Sequence, residues 1–109
     1  MPYDPGLAAR LADLMADLPG VTETKMFGGL GYLLHGNMCV GVHREHLMLR
    51  VGVEREKALL RLPGVKPMDF TGKVMKGWLQ AGPEATADEA VFRRCVEEAV
   101  AFAKTLPPK

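Results

Sequence analysis

Basic residues lie close to the sole tryptophan of this chain, and together they suit the binding of a partner. The candidate surface residues are Arg50, Lys66, Lys73, Lys76 and Trp78. Lysines around a tryptophan can bind the phosphates and stack on the bases of a single-stranded nucleic acid. The same residue types can anchor a protein interface, where tryptophan contributes strongly. In a third interpretation, Trp78 and the nearby Phe70 are core residues and the lysines are solvated.

Met48 is a further candidate for the same surface. It alternates with Leu47 and Leu49 in a predicted strand, so its side chain points away from the face on which the leucines pack. Methionine fills irregular gaps in cores and also adapts to promiscuous interfaces. Core filling explains most methionines of the chain, whereas Met48 is expected to be an exposed apolar contact.

Three histidines and a cysteine could together bind zinc or activate a nucleophile. They are His35, Cys39, His43 and His46. The last two histidines flank a predicted turn and do not follow the helical H-E-x-x-H pattern of zinc proteases. The cysteine lies in an apolar strand pattern, which is typical of a buried thiol. We therefore expect no metal, no cofactor and no catalytic residue.

The glycines Gly28, Gly29 and Gly31 resemble a phosphate-binding loop only superficially. A dinucleotide fingerprint requires a strand before it, a helix after it and a third glycine at a fixed offset. Here the pattern predicts a strand on both sides. The glycines are expected to allow a bulge or the close approach of another backbone.

Size and composition are those of an ordinary globular protein, with 109 residues of which 48% are hydrophobic and 25% charged. This length predicts a single domain over residues 1–109.

The formal net charge is +1, and this favours a protein partner because nucleic-acid-binding domains usually have a marked basic excess. Without a membrane-length apolar run or a signal pattern, we expect a cytoplasmic protein with no membrane contact. Cys39 and Cys95 are expected to be buried free thiols.

Periodicity and turn residues predict three helices and up to six strands. The first helix begins with Asp4 as its N-cap, the second is short and covers 54–62, and the third follows a capping box of Thr86 and Glu89. Gly36-Asn37 predicts a hairpin turn because both residues tolerate positive φ, and a second turn is expected at Arg44-Glu45. The predicted strands cover 22–27, 30–35, 38–43, 46–51, 66–71 and 74–80.

This order of elements predicts an α+β domain, a two-layer sandwich of helix, three or four strands, helix, two strands and helix with an antiparallel sheet. The two long amphipathic helices must bury their apolar sides on one face of the sheet. Loops and the short helix alone remain to cover the other face. An uncovered apolar patch there would be a partner or dimer surface.

Two motifs in combination point to a family. They are MFGG at 26–29 and MDFTGKVMKGW at 68–78. On these residues the chain resembles the TfoX N-terminal domain family, which occurs at the front of bacterial competence regulators and as stand-alone proteins. The resemblance implies a two-layer sandwich similar to the type III secretion chaperones and a regulatory or interaction role. It supplies no catalytic residues.

The first hypothesis is therefore a non-enzymatic regulatory or protein-interaction module with an unknown protein partner. A homodimer through the uncovered sheet face is compatible with it. The alternative is a small-ligand-binding or enzymatic domain that uses the glycine-rich strands, Cys39 and the histidines. Nucleic-acid binding through the lysines and Trp78 is a further alternative.

Overall fold

The computed structural model describes residues 3–26, 29–69 and 74–108. Within these ranges the chain forms four helices and six strands. The helices are α1 (Pro5–Met15), α2 (Val53–Leu59), α3 (Pro83–Thr86) and α4 (Glu89–Lys104). The strands are β1 (Val21–Met26), β2 (Gly29–Leu34), β3 (Asn37–His43), β4 (His46–Arg50), β5 (Val65–Asp69) and β6 (Val74–Ala81). Three residues of interest lie outside the described residues. They are Gly28, Phe70 and the candidate surface residue Lys73.

The six strands form one sheet in which every pair of neighbours is antiparallel. Their order is β1-β2-β3-β4-β6-β5, so β6 lies between β4 and β5. Together with the helices, this sheet confirms the predicted α+β sandwich with an antiparallel sheet. The short helix α3 was not predicted.

Every described helix packs on the same face of the sheet. One core cluster joins the buried side chains Leu11 of α1, Leu59 of α2, Ala85 of α3, Phe92 of α4 and Leu49 of β4. The helices therefore form the second layer, because their apolar sides are buried against this one sheet face. None of the described helices is long and apolar enough to cross a membrane.

The β2–β3 hairpin turn is one residue earlier than predicted. Leu34 pairs with Asn37, so the two turn residues are His35 and Gly36, with φ values of 51° and 85°. Two-residue hairpin turns of this kind require positive φ at both positions. Asn37 instead begins β3, and its buried side-chain amide donates a hydrogen bond of 2.9 Å to the carbonyl oxygen of Pro107. Its side chain therefore ties the C-terminal tail to the hairpin.

The turn at Arg44-Glu45 lies where it was predicted. Arg44 has a φ of 55°, and His43 pairs with His46 on either side of the turn. The turn thus brings these two histidines to neighbouring positions at one end of the sheet.

The capping box predicted at Thr86 and Glu89 is wrong. Thr86 is the last residue of α3, and Asp88 is the N-cap of α4. One carboxylate oxygen of Asp88 accepts hydrogen bonds from the backbone N–H groups of Ala90 at 3.0 Å and Val91 at 3.3 Å. Thr86 belongs to the short helix α3, so the N-cap of α4 is Asp88, two residues after the predicted one.

Asp88→Ala is expected to lower the free energy of unfolding by about 1 kcal/mol, since two N–H groups of the first turn lose their acceptor. Urea-induced unfolding monitored by circular dichroism measures this change. Asp88→Ser is the matched control, because serine also caps helices, and it should retain most of the stability. Equal losses in the two variants would contradict the assignment of the cap.

The two edge strands carry residues that discourage further strand pairing. Edge strand β1 includes Glu23 and Lys25, and edge strand β5 includes Pro67. Charged residues and proline protect exposed sheet edges against pairing with another chain. Both edges of the sheet are therefore protected against pairing with a further strand.

Candidate functional site

The pairing register assigns alternate residues of each strand to two faces of the sheet. Leu47 and Leu49 point into the core, so Met48 and Arg50 belong to the opposite face. Register pairs continue this assignment through all six strands and define one row of residues across the sheet. In sheet order, the row is Thr24, Gly31, Gly41, Met48, Gln80 and Lys66. We call the side that carries this row the open face.

Met48 lies on the open face as its register predicted, but the expectation that it is exposed is wrong. Only 2% of its surface is exposed. It pairs with Gly41, which in turn pairs with Gly31, so two successive strands have no side chain beside it. A Cβ placed on Gly41 would come within 3.1 Å of Met48 Cε. The methionine side chain therefore lies against the glycine backbone and contributes little accessible surface to a partner.

Trp78 and Arg50 form the aromatic centre of the candidate surface. They are paired residues of β6 and β4, and each is half-buried. The Arg50 guanidinium carbon lies 5.9 Å from the ring centroid of Trp78 and 5.7 Å from that of Phe102 on α4. Cation–π contacts at such distances stabilise the position of an arginine. Trp78 is outside the main core cluster.

A glycine bulge fixes the backbone immediately before Trp78. Gly77 has a φ of 84°, and its carbonyl oxygen accepts hydrogen bonds from the N–H groups of Val51 and Gly52. Its own N–H donates to the Glu56 side chain on α2 at 2.7 Å. Only glycine adopts this backbone conformation without strain. The bulge therefore sets the direction of Trp78 and anchors β6 to α2.

The open face carries two cationic side chains and two histidines. By register it carries His43, His46, Arg50 and Lys66, and Lys66 is exposed, as is Lys76 on β6. The other described positions of this face hold Thr22, Thr24, Gly29, Gly31, Leu33, Met38, Gly41, Met48, Trp78 and Gln80. Among these described side chains none is acidic.

Two acidic residues of the helix layer, Glu89 and Glu98, form ion pairs. The ion pairs that the structure describes join Arg10 to Glu89 at 3.1 Å, Arg93 to Glu89 at 3.1 Å and Arg55 to Glu98 at 3.3 Å. At the end of the open face, burial and then the charges of Arg44 and His46 lower the pKa of His43.

A small pocket lies at this end of the open face and was not predicted from the sequence. Its volume is about 180 Å³, and it opens where β4 begins and β6 ends. It is lined by His46, Gly64, Lys66, Gln80, Gly82, Pro83 and Glu84. Gly82 contributes to its shape, because a Cβ there would come within 3.6 Å of His46 Cδ2. The pocket therefore combines three side chains that can donate hydrogen bonds with one carboxylate.

The structure does not bring the histidines and Cys39 together. Cys39 is fully buried in the core cluster, whereas His43 and His46 belong to the open face. His35 lies at the opposite end of β3 from His43, about 20 Å away by the rise of a strand. Burial raises the pKa of the Cys39 thiol to about 12 and that of Cys95 to about 11. Both cysteines are free and buried, as predicted.

The glycine-rich segment allows close backbone approach, as expected for the part that the structure describes. A Cβ on Gly29 would overlap the carbonyl oxygen of Val42, and a Cβ on Gly41 would lie 2.7 Å from the carbonyl oxygen of Leu30. These glycines therefore serve the packing of β2 against β3.

A second, larger groove runs between α1 and α4 on the helix layer. Its volume is about 400 Å³. It is lined by Leu14, Leu18, Arg93, Val96, Glu97, Val100, Ala101 and Lys104. This groove was not predicted from the sequence.

Comparison with known proteins gives a family and no closer relative. Neither the curated proteins nor the solved structures include a match to the chain. The family model of the TfoX N-terminal domain matches residues 13–103, which include every described strand and all of α4 except its last residue. Membership fits a module related to the competence regulators. The chain belongs to the TfoX N-terminal domain family.

Proposed function

We propose that this protein is a non-enzymatic, regulatory protein-interaction module of the cytoplasm that binds its partner through the open face. One observation carries the proposal: half-buried Trp78 and exposed Lys66 lie, by register, on the sheet face opposite the core cluster. Tryptophan and arginine are the residues that most often dominate the energy of protein interfaces. We define the interaction surface as Arg50, Lys66, Lys76 and Trp78.

The state of the cysteines supports a binding role over a catalytic one. A nucleophilic cysteine needs a lowered pKa and access to substrate, whereas burial raises the pKa of Cys39 to about 12. Free buried thiols also suit a reducing compartment such as the cytoplasm. Membership of a family related to competence regulators supports a regulatory role for the interaction.

The experiment compares proteins captured from a lysate of the source cells by the wild type and by two charge-reversal variants. Lys66→Glu/Lys76→Glu changes the interaction surface, and Lys57→Glu/Lys104→Glu makes the same charge change on α2 and α4. All four lysines are exposed, so both variants should fold. We expect a specific protein to bind the wild type and the helix variant but not the surface variant, because reversed charges repel an acidic partner.

Loss of the captured protein in the helix variant alone would move the site to the groove between α1 and α4. Sedimentation of the purified protein tests whether the captured partner is a second copy of the chain. If the surface variant captures the same proteins as the wild type, the proposed interaction surface is wrong.

A further inference from the structure

We propose that Glu56 on α2 and Phe102 on α4 are positioning residues for Trp78, so that the helix layer controls the geometry of the interaction surface. The inference rests on the proposed function and specifies how the surface is held ready for its partner. Glu56 acts through the backbone of Gly77. Phe102 acts through the guanidinium of Arg50.

The first connection fixes the peptide groups on both sides of Gly77. Its N–H donates a hydrogen bond of 2.7 Å to Glu56 Oε1. Its carbonyl oxygen accepts bonds of 2.8 Å from the N–H of Val51 and 3.1 Å from that of Gly52. Gly52 is also the N-cap of α2, so the start of this helix holds Gly77 from both directions. The second of these peptide groups contains the nitrogen of Trp78, and its backbone position is thereby set.

The Glu56 bond is the part of this connection that depends on a side chain. Hydrogen bonds to an ionised carboxylate are roughly twice as strong as those between neutral groups, and Glu56 is half-buried. A glycine that loses such a bond regains a wide range of backbone conformations. We therefore expect a substitution of Glu56 to loosen Gly77 and the residue after it, while the bonds to its carbonyl oxygen keep β4 and β6 paired.

The second connection is a cation between two aromatic rings. The Arg50 guanidinium carbon lies 5.9 Å from the ring centroid of Trp78 and 5.7 Å from that of Phe102, both within the range of about 6 Å for cation–π contacts. The Phe102 ring also lies against Gly52, where a Cβ would come within 2.6 Å of Phe102 Cε1. Both connections therefore converge on the start of α2, and together they hold the backbone and the ring of Trp78.

Prior positioning of Trp78 favours binding. An interface side chain that is ordered only on binding costs free energy at that moment, and tryptophans that dominate interfaces do so in closely packed settings. A Trp78 that the helices already hold avoids part of this cost. Loss of either connection should therefore raise the Kd for the partner by roughly two- to tenfold, although the substituted residue lies on a helix.

Near-UV circular dichroism tests the positioning without a partner, because Trp78 is the sole tryptophan and this signal requires fixed side-chain packing. Glu56→Ala should lose a large part of the tryptophan band and keep the far-UV signal of the wild type. Glu56→Gln retains an oxygen that can accept from the Gly77 N–H, so it should retain most of the band. Glu54→Ala removes an exposed carboxylate from the same helix and should leave the band unchanged.

Phe102→Leu tests the second connection independently. Leucine keeps an apolar side chain beside Gly52 but has no ring for the Arg50 guanidinium. This variant should also lose part of the tryptophan band, and Glu56→Ala/Phe102→Leu should lose more of it than either single variant. A band that is the same in the wild type and Glu56→Ala, or that falls equally in Glu56→Gln and Glu56→Ala, would overturn the inference.

The lysate experiment links the positioning to binding. Glu56→Ala should retain less of the captured protein than Glu54→Ala. If Glu56→Ala loses the tryptophan band but retains the captured protein in full, the inference is wrong and the proposed function stands. If instead the Lys66→Glu/Lys76→Glu variant loses no protein while the dichroism changes as expected, the proposed function is wrong and the positioning of Trp78 by the helices stands.

Discussion

Gly41→Ala is expected to lower the free energy of unfolding by about 2–3 kcal/mol, a cost typical of overpacking in a rigid site. The added Cβ would lie 2.7 Å from the carbonyl oxygen of Leu30, 3.1 Å from Met48 Cε and 3.3 Å from the Cα of Gly31. Met48 can move, but the other two atoms belong to the backbone of the paired strand β2. The strands must therefore separate locally, which weakens the ladder between β2 and β3.

The midpoint of urea-induced unfolding, measured at an unchanged slope, gives the loss of stability. Gly6→Ala is the matched control, because it makes the same chemical change in the exposed first turn of α1. A Cβ there would lie 3.4 Å from Asp4 Oδ1, which is an ordinary contact. This control should be neutral or stabilising by up to about 1 kcal/mol. An unchanged midpoint for Gly41→Ala would show that β2 and β3 are not packed as closely as described.

Between pH 8 and pH 10 we expect the free energy of unfolding to fall by about 3 kcal/mol because of the two buried thiols. Folding raises the pKa of Cys39 from 9.0 to about 12 and that of Cys95 from 9.0 to about 11. As the pH rises through 9, the unfolded chain loses both thiol protons while the folded protein retains them. The unfolded state then binds fewer protons, so stability decreases with rising pH, by about 1.4 kcal/mol for each thiol.

Urea unfolding of the wild type at pH 8, 9 and 10 measures this dependence. Cys39→Ala and Cys95→Ala should each reduce the decrease by about half, whatever their stability at pH 8. Burial also raises the pKa of Tyr32 above 10.0, so the range ends at pH 10 to limit its contribution. A pH dependence that is the same in the cysteine variants and the wild type would contradict the assigned burial of the thiols.

The reactivity of Cys39 also separates the two leading functional hypotheses. A thiol with a pKa of about 12 in the core should react with iodoacetamide at pH 7 only after the protein unfolds. Rapid alkylation of Cys39 in the folded protein would instead favour the alternative in which this residue lies in a ligand-binding or catalytic pocket.

Local signals in the sequence were sufficient for the class of fold and for most of its elements. The N-cap Asp4 and the apolar stripe predicted α1, and the Arg44-Glu45 turn was predicted at its observed place. Capping, periodicity and turn formation depend on residues a few positions apart, so one sequence contains the information. Errors arose where two local signals competed, as at Thr86 and Asp88, because both residue types can cap a helix.

The sequence by itself therefore determined the α+β class, the buried thiols, and Trp78 with its neighbouring lysines as the candidate surface. Tertiary structure alone decided which of these residues are exposed. Met48 is buried, with its Cε against the backbone of Gly41 on the neighbouring strand. Likewise, Lys66 lines the same pocket as His46 and Gln80 because β6 pairs between β4 and β5. Strand pairing depends on contacts between residues distant along the chain, and no local pattern specifies them.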